Sequence, residues 1–270
     1  MIDLHCHIIP GVDDGSRSLD ESIEMCRIAA RDGITKIVCT PHNVPGKYHN
    51  NSEKILRCVH DLQSAIDGKD IPLTLYPGCE IHLELNLVEK IRTGELMTMN
   101  RSGRYIILEL PDEAIAHTID ETISSLVFSG IIPIIAHPER NQAIRSDPSL
   151  LYRMVNLGAL SQLTTSSLTG RFGSAIVKFS LFLIEHNLVH MMATDAHSSI
   201  HRRPVLSKGI TRLKELVGEK AAMRMMEEIP EKVLNGDDID VELPIPMKNK
   251  STSTVRAFIS RVLKKRPISA

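Results

Sequence analysis

The sequence is poor in aromatic residues, which make up only 3% of its 270 residues, and it contains no tryptophan. An aromatic cage or a stacking platform for bases is therefore not expected. The five cysteines form no Cys-x-x-Cys pair, which indicates reduced thiols in the cytoplasm and not a disulfide framework. No apolar run approaches the ~18 residues of a membrane span. The net charge of −1 gives no indication of nucleic-acid binding, so we expect a soluble globular protein.

Segments with strand-like and helix-like patterns alternate along most of the chain. The strand candidates are short apolar runs, typical of parallel strands that are buried on both faces: MIDLHCH, KIVCTPH, LTLYPGCEI, YIILELP, IIPIIAHP, ALSQLTTSS and VHMMATDAH. After the first, SLDESIEMCRIAARDG has helical spacing, with Ser18 and Glu21 as a capping box and Gly33 as its end. These strand–helix units predict an α/β fold whose parallel sheet closes into a barrel over residues 1–240.

Six of the predicted strands deliver metal-ligand types where they end. The carboxyl ends of parallel barrel strands lie on one face, so these side chains are expected to converge there. The nine candidate ligands are His5, His7, Asp14, His42, Glu80, Glu109, His137, Asp195 and His197. They exceed what one ion binds, and the mixture of nitrogen and oxygen ligands favours two or three ions of manganese, zinc or iron.

Further polar residues stand close to these candidates. Arg140 and Arg203 follow His137 and His197, and a guanidinium beside a multi-metal site is suited to a tetrahedral oxyanion such as phosphate. Arg202 is adjacent, and the sequence leaves open which of the pair faces the site. Asp13 and His49 are equally undecided. Six histidines lack strand-end placement and are predicted to be surface or core residues: His60, His82, His117, His186, His190 and His201. The loop LTGRFG is expected to shape the mouth of the site.

The motifs HCHIIPGVDDGS, TPHN, GCEI, LELP, AHPER, LTGRFG and TDAHS, in this order, resemble the PHP (polymerase and histidinol phosphatase) superfamily. Within it, they are most similar to the metal-dependent protein-tyrosine phosphatases of bacterial capsule and exopolysaccharide clusters, the CpsB/CapC type. The resemblance implies a distorted (βα)7 TIM-like barrel with three divalent metal ions, usually Mn²⁺, with iron, cobalt and zinc as alternatives. It covers residues 1–240.

The resemblance also implies a role for each candidate. Two neighbouring ions share Glu80, and Arg140 and Arg203 bind the phosphate. The first ion is implied to bind His5, His7, Glu80 and Asp195, the second Glu80, Glu109 and His137, and the third Asp14, His42 and His197. The implied partner is a bacterial tyrosine autokinase that controls polysaccharide export. Asn43 stands where family members often have a second histidine, so it receives no ligand role.

The predicted reaction is hydrolysis of phosphotyrosine by a water that two cations activate. Tyrosinate is a good leaving group, because its conjugate acid has a pKa of about 10. The sequence has no Cys-x5-Arg loop, which excludes a cysteine-based phosphatase. A small-molecule phosphatase, such as one for histidinol phosphate, is the main alternative. A nuclease and a non-catalytic docking domain rank below it.

Residues 241–270 are predicted to form a basic C-terminal extension. Residues 248–270 carry seven basic groups and no acidic one, and apolar residues recur there at the spacing of an amphipathic helix. Three interpretations stay open. The extension packs on the acidic body or on a second subunit, contacts anionic lipid near a membrane-bound kinase, or is a solvated tail.

Overall fold

Nine strands alternate with helices in residues 1–113, 115 and 118–247, which are those described by the structure, a computed structural model. The strands are β1 (Ile2–Cys6), β2 (Lys36–Cys39), β3 (His42–Asn43), β4 (Thr74–Pro77), β5 (Glu80–His82), β6 (Tyr105–Glu109), β7 (Ile132–Ala136), β8 (Leu160–Thr164) and β9 (Met191–Ala193). The basic segment 248–270, for which an amphipathic helix was predicted, lies outside the described residues.

The helices lie mostly between the strands. They are α1 (Leu19–Arg31), α2 (Ser52–Asp67), α3 (Leu87–Arg92), α4 (Ile119–Phe128), α5 (Gln142–Ser146), α6 (Ser149–Asn156), α7 (Thr165–Leu168), α8 (Ser174–Glu185), α9 (Ser207–Val217), α10 (Glu219–Met223) and α11 (Ile229–Asn235). A 3₁₀ turn covers Met99–Arg101 and a π-helical turn covers Arg224–Glu228. No helix of the described residues has the length and apolarity that a membrane crossing requires.

Every pair of neighbouring strands is parallel, as the alternating pattern predicts. The strands form two sheets, in the orders β1-β2-β4 and β3-β5-β6-β7-β8-β9. The α/β class with parallel sheets is therefore confirmed. A single parallel bridge, between Cys6 and Ala196, joins the end of β1 to the residue that follows Asp195.

Two of the predicted strands are each interrupted by a short break. KIVCTPH becomes β2 and β3, and LTLYPGCEI becomes β4 and β5. At the second break, a Cβ on Gly78 would lie 2.5 Å from a methyl group of Val38, so only glycine permits this approach of the two chains. The pairing continues across both breaks, because Gly78 N donates to Cys39 O and Glu80 N donates to Pro41 O. The short strands that follow the two breaks, β3 and β5, begin with His42 and Glu80.

Helix α1 forms as its sequence predicts. The Ser18 side chain accepts a hydrogen bond from Glu21 N, and Glu21 accepts one from Arg17 N. These bonds satisfy one donor of the first turn and one donor just before the helix. Ile23 and Cys26 lie on its buried face. The helix ends before Gly33, whose φ of +89° is unfavourable for other residues.

Alternating side chains place an apolar cluster against the amino ends of the strands. Tyr105 and Ile107 of β6 and Leu160 of β8 belong to this cluster, and α11 packs against it with Ile229 and Val233. A second, larger apolar cluster lies between the sheets and the surrounding helices. The strand face that is apolar at this end becomes polar at the carboxyl ends, where the candidate site lies.

Candidate metal centre

The two histidines of the first motif meet a glutamate from another strand. His5 and His7 are two residues apart, and their Nε2 atoms lie 3.1 Å from each other. Both Nε2 atoms also lie 3.1 Å from Oε2 of Glu80. All three side chains are buried. The tip of β1 and the start of β5 therefore direct three metal-ligand types to one point.

Glu80 contacts two further imidazole rings. Its Oε2 lies 3.0 Å from Nδ1 of His42, which pairs with it in register across β3 and β5. Its Oε1 lies 2.9 Å from Nε2 of His137, within hydrogen-bond distance. His137 follows β7 with a φ of +34°, which is uncommon for a residue other than glycine. One buried carboxylate thus contacts four imidazoles.

Asp14 extends the cluster toward solvent. Its Oδ1 lies 3.5 Å from Nε2 of His42 and 3.6 Å from Nε2 of His197. The side chain of Asp14 is 51% exposed, whereas that of His197 is 9% exposed. Asp14, His42 and His197 therefore form the side of the site that is open to solvent.

Asp195 and Glu109 complete the set of nine. Asp195 Oδ1 lies 3.6 Å from Nε2 of His5, and Asp195 itself has a φ of +50° just after β9. Glu109, at the end of β6, lies 3.6 Å from Nδ1 of His42 and 3.9 Å from Nε2 of His137. The structure thus brings all nine predicted ligands to one face.

The nitrogen and oxygen donor atoms of these side chains are spaced closely enough to bind metal ions together. Three overlapping groups have donor atoms that lie within 4.8 Å of one another: His7, Asp14, His42 and His197; His5, His7 and Glu80; His42, Glu80 and Glu109. Oε2 of Glu80 and Nδ1 of His42 are buried and have no hydrogen-bond partner among the described residues, although they are 3.0 Å apart. Converging lone pairs without hydrogen-bond geometry are what a cation requires. Because His7 and His42 each belong to two groups, the predicted division into three ligand sets stays a prediction.

Burial changes the pKa values of several side chains in this cluster. It lowers the pKa of His42 to about 4 and that of His197 to about 2, so both imidazoles are neutral and offer lone pairs. Burial and the charge of Glu80 raise the pKa of Glu109 to about 8. Burial opposes the ionisation of Glu80, but the charge of His5 and the hydrogen bond from His137 hold its pKa well below the usual range. Positive charge from a bound cation would favour the ionised form of Glu109 as well.

Two residues orient the histidines of the first strand, and the sequence analysis did not assign them. Asp13, which it left undecided, lies 2.8 Å from Nδ1 of His7 and accepts from the backbone N–H of His42. Gln162 of β8, which it missed, lies 2.7 Å from Nδ1 of His5. Such partners fix the ring orientation of metal-binding histidines. A long polar side chain between Leu160 and Leu163, in a segment predicted to be a buried strand, was the available signal for Gln162.

The loop that carries Asp13 is held close to the first strand. Gly15 accommodates this approach, because a Cβ there would lie 2.2 Å from the carbonyl oxygen of His7. Gly15 N donates to Asp13 Oδ1 at 2.9 Å. Burial would raise the pKa of Asp13, but the hydrogen bond and the charge of His7 lower it to about 2. Asp13 is therefore an ionised acceptor for His7.

Two arginines meet at Asp195. Arg140 and Arg202 both donate to its Oδ2, and the Arg202 contact measures 2.5 Å. The guanidinium of Arg140 also lies 5.3 Å from the ring centre of Phe172, in the loop predicted to shape the mouth. Arg203 makes no ion pair with the described carboxylates and, like Arg202, lines a neighbouring cavity. The adjacent residue that the sequence left open, Arg202, therefore makes the contact with the site, and the phosphate-binding role of Arg203 stays a prediction.

None of the remaining described histidines pairs with a carboxylate of this cluster. His60 and His201 are exposed and His49, which was undecided, is also exposed. His186 contacts the carbonyl oxygen of Phe182. His82, which pairs in register with Glu109, contacts the carbonyl oxygen of Leu83, and buried His190 accepts from Ser161 N. His117 lies outside the described residues.

A parallel α/β fold with imidazole and carboxylate groups gathered at its strand ends defines a class of metal-binding α/β proteins. Within that class, the chain belongs to the CpsB/CapC family, described as "Capsular polysaccharide synthesis, CpsB/CapC", which matches residues 1–235. It is 38% identical to the tyrosine-protein phosphatase YwqE of Bacillus subtilis, over 93% of this chain and 98% of that protein. It is 40% identical to the putative tyrosine-protein phosphatase CapC of Staphylococcus aureus, over 87% and 89% of the two chains.

A solved structure supports the same relationship. The matched chain comes from the crystal structures of YwqE from Bacillus subtilis and CpsB from Streptococcus pneumoniae, which are described as unique metal-dependent tyrosine phosphatases. The likeness has a TM-score of 0.88 at 37% identity and covers 92% of this chain and 100% of that one. The described fold is therefore that of the family.

Proposed function

We propose that this protein is a metal-dependent phosphatase that hydrolyses phosphotyrosine in polypeptides. The observation that carries the proposal is the contact of one buried carboxylate, Glu80, with four imidazoles, beside the two guanidinium groups on Asp195. The relatives named above as tyrosine-protein phosphatases support the choice of substrate. Burial raises the pKa of the Cys6, Cys39 and Cys79 thiols, which argues against a cysteine nucleophile.

The resident cofactor is proposed to be three divalent ions, with Mn²⁺ as the first choice. The nine side chains named above would hold them, and Glu80 would be shared by two ions. Bound divalent ions lower the pKa of water and offset the negative charge of a phosphate. Iron, cobalt and zinc suit the same mixture of nitrogen and oxygen ligands.

The chain's own residues bind and orient the substrate. Arg140 and Arg202 present guanidinium groups at the edge of the cluster, where they can bind two oxygens of a phosphate. In a loose transition state, charge develops on those equatorial oxygens, so this contact lowers the barrier. Asp13 and Gln162 keep the rings of His7 and His5 in place. The leaving tyrosinate has a conjugate-acid pKa of about 10 and needs no strong general acid.

We also propose that the two sheets are parts of one distorted (βα)7 TIM-like barrel. β3 continues β2 and β5 continues β4, which leaves seven strand positions. Backbone hydrogen bonds support closure between the first and last strands, since His7 N donates to Ala196 O and Asp195 N donates to His5 O, both at 2.8 Å. The domain is proposed to cover residues 1–240, with 241–270 as an extension.

The exposure of the site supports a polypeptide substrate over a small metabolite. The side chains of Asp14, Glu109 and Arg202 are 51%, 24% and 29% exposed. An open mouth admits a phosphotyrosine that protrudes from a protein. The family description supports a role in capsule or exopolysaccharide synthesis. We propose that this protein is cytoplasmic and that its partner is a bacterial tyrosine autokinase of polysaccharide export.

The test uses metal-stripped protein to which Mn²⁺, Co²⁺, Mg²⁺ or Zn²⁺ is restored. The substrates are a phosphotyrosine peptide, the matched phosphoserine peptide and histidinol phosphate. We expect hydrolysis of the phosphotyrosine peptide to be restored best by Mn²⁺ and to exceed that of the other two. Full activity without metal would refute the metal dependence, and a preference for histidinol phosphate would support the small-molecule alternative.

A further inference from the structure

A cavity of about 210 Å³ lies beside the proposed phosphate site. It is bounded by α7 with the loop that follows it and by the segment that enters α9. Arg202 connects the two places, because its guanidinium contacts Asp195 and the residue also lines the cavity. A group bound in the cavity would therefore be separated from Asp195, at the metal cluster, by the length of the Arg202 side chain.

The cavity wall carries positive charge and no negative charge. Arg171, Arg203 and Lys208 line it together with Arg202, and no acidic residue does. No ion pair joins Arg171, Arg203 or Lys208 to a carboxylate anywhere in the part of the chain that the structure describes. Cations that gather around a concave surface without counter-charge raise the local concentration of anions there.

The walls of the cavity are held in place by packing. A Cβ on Gly209 would lie 2.7 Å from Cβ of Thr165, so the start of α9 rests directly on α7. Asp32 caps α9, but its oxygens accept from Leu206 N, Ser207 N and the Ser207 hydroxyl, and it does not line the cavity. The Ser166 hydroxyl adds a hydrogen-bond donor to the wall, whereas the Thr169 hydroxyl donates to the carbonyl oxygen of Ser166.

We propose that this cavity is a second anion site, which binds a carboxylate or a phosphate of the same polypeptide whose phosphotyrosine is hydrolysed. The proposal rests on the proposed function and adds a preference for substrates with a nearby acidic group. Because one arginine side chain joins the two places and an extended chain advances about 3.3 Å per residue, the second anion is expected two to four residues from the phosphotyrosine. Arg203 takes part in this site in our proposal.

The test compares phosphotyrosine peptides that differ at one position. One peptide has neutral flanks, a second carries glutamate two, three or four residues away on either side, and a third carries phosphoserine at the same positions. For the wild-type protein with Mn²⁺, we expect kcat/KM to be roughly three- to ten-fold higher for the best acid-bearing peptide, the scale of one or two partly exposed ion pairs. The advantage is expected to shrink in high salt.

The matched variants are Arg171→Gln/Lys208→Gln and Lys69→Gln/Lys178→Gln. Both remove two positive charges from exposed positions, but only the first pair lines the cavity. We expect the ratio of kcat/KM between acid-bearing and neutral peptides to fall toward one in the cavity variant and to persist in the control. Taking the ratio within each variant cancels any general loss of activity. Equal melting temperatures verify that both variants fold.

The outcomes separate the two proposals. A preference for the phosphoserine peptide alone identifies the ligand as phosphate, and a preference for both identifies a general oxyanion site. A wild-type ratio of one, or a ratio that the cavity variant retains, would overturn the second anion site. If no phosphotyrosine peptide is hydrolysed, the proposed function fails instead. Fluorescence anisotropy then decides on the second site, because wild-type protein must still bind the acid-bearing peptide more tightly than the cavity variant does.

Discussion

The parallel strands carry opposite chemistry at their two ends. On β6, Tyr105 and Ile107 pack into the apolar cluster at the amino end, and Glu109, two residues further on the same face, reaches the metal cluster. On β8, Leu160 is apolar and Gln162 contacts His5. Along one face of each strand, the side chains therefore change from apolar at the amino end to polar at the carboxyl end, where the metal cluster lies.

The difference also has an energetic side. Glu80 and Asp195 are buried carboxylates, and burying charge is costly unless partners compensate for it. The amino end stabilises the fold by burial of apolar side chains, whereas the carboxyl end gathers groups that a metal ion and a phosphate would satisfy. Substitutions at the carboxyl end should therefore alter metal content and turnover, and substitutions at the amino end should alter the free energy of unfolding.

The largest effect is expected for Glu80→Ala, which removes the carboxylate shared by four imidazoles. Bound metal, measured by mass spectrometry of the purified protein, should fall. Phosphatase activity should fall by more than the ~10- to 100-fold typical of residues that only orient a ligand. His49→Ala, at an exposed position away from the cluster, is the control and should retain both. Full metal content in Glu80→Ala would contradict the proposed site.

The next effect is expected for Arg140→Ala, which removes a guanidinium from the proposed phosphate site. Turnover should fall by about 10²-fold, the scale seen when one donor to a developing oxyanion is removed. Metal content should stay unchanged, and inhibition by phosphate should weaken in parallel. Arg145→Ala, at an exposed position on α5, is the matched control. Near-normal turnover in Arg140→Ala would show that this guanidinium does not bind substrate.

Substitutions of the neighbouring residues Arg202 and Arg203 test the same phosphate site. Arg202 contacts Asp195 and Arg203 does not, so a larger loss of turnover on a small aryl phosphate is expected for Arg202→Ala than for Arg203→Ala. The reverse order would support the assignment of Arg203 that the sequence analysis made.

A smaller effect is expected for Gln162→Leu, which removes the acceptor for His5 Nδ1 and keeps the size of the side chain. The Mn²⁺ concentration that half-activates the metal-stripped enzyme should rise by roughly 10-fold or more, because loss of such a partner weakens metal binding. Gln142→Leu makes the same exchange at an exposed position and should leave that concentration unchanged. Equal activation curves would mean that packing alone orients the ring of His5.

The sequence predicts the strand ends well because regular periodicity determines them. An apolar run that ends in histidine or a carboxylate indicates both the element and the direction of its last side chain, as β1 and β6 illustrate. The position of Gly78 against Val38 depends on a contact between distant segments, so no local pattern predicted the break between β4 and β5. The alternation of strand and helix segments predicted the parallel pairing, but it did not predict that two of the strands are each divided by a break.

The least predictable part of the site is the loop between His197 and the two arginines. Its path depends on a turn in which His197 N and Ser198 N both donate to Arg202 O. A shift of one residue in such an irregular segment exchanges the directions of Arg202 and Arg203, and no periodicity reports it. Asp13 was undecided for a related reason, since its role depends on the contact that Gly15 makes with His7.

The smallest effect concerns the part of the sheet away from the metal cluster, where His190 is buried. Its Nδ1 accepts from Ser161 N, and Nε2 has no hydrogen-bond partner among the described residues. Burial and the charge of Arg224 lower the pKa of His190 from 6.5 to about 4. Between these values the unfolded chain binds a proton that the folded protein excludes. The stabilisation is therefore complete above pH 6.5 and is lost as the pH falls toward 4.

The free energy of unfolding of the metal-stripped protein should thus fall by about 1 kcal/mol between pH 7 and pH 5.5 on account of this one group. His190→Asn keeps an acceptor for Ser161 N and removes the titration, so its loss over the same range should be smaller by that amount. Denaturant unfolding at both pH values measures the difference, and the other titrating groups cancel when the two proteins are compared. Equal losses in the two proteins would mean that His190 takes up its proton without unfolding. In that event the region around β8 and β9 would tolerate charge, and the contrast between the two ends of the sheet would be weaker than their burial indicates.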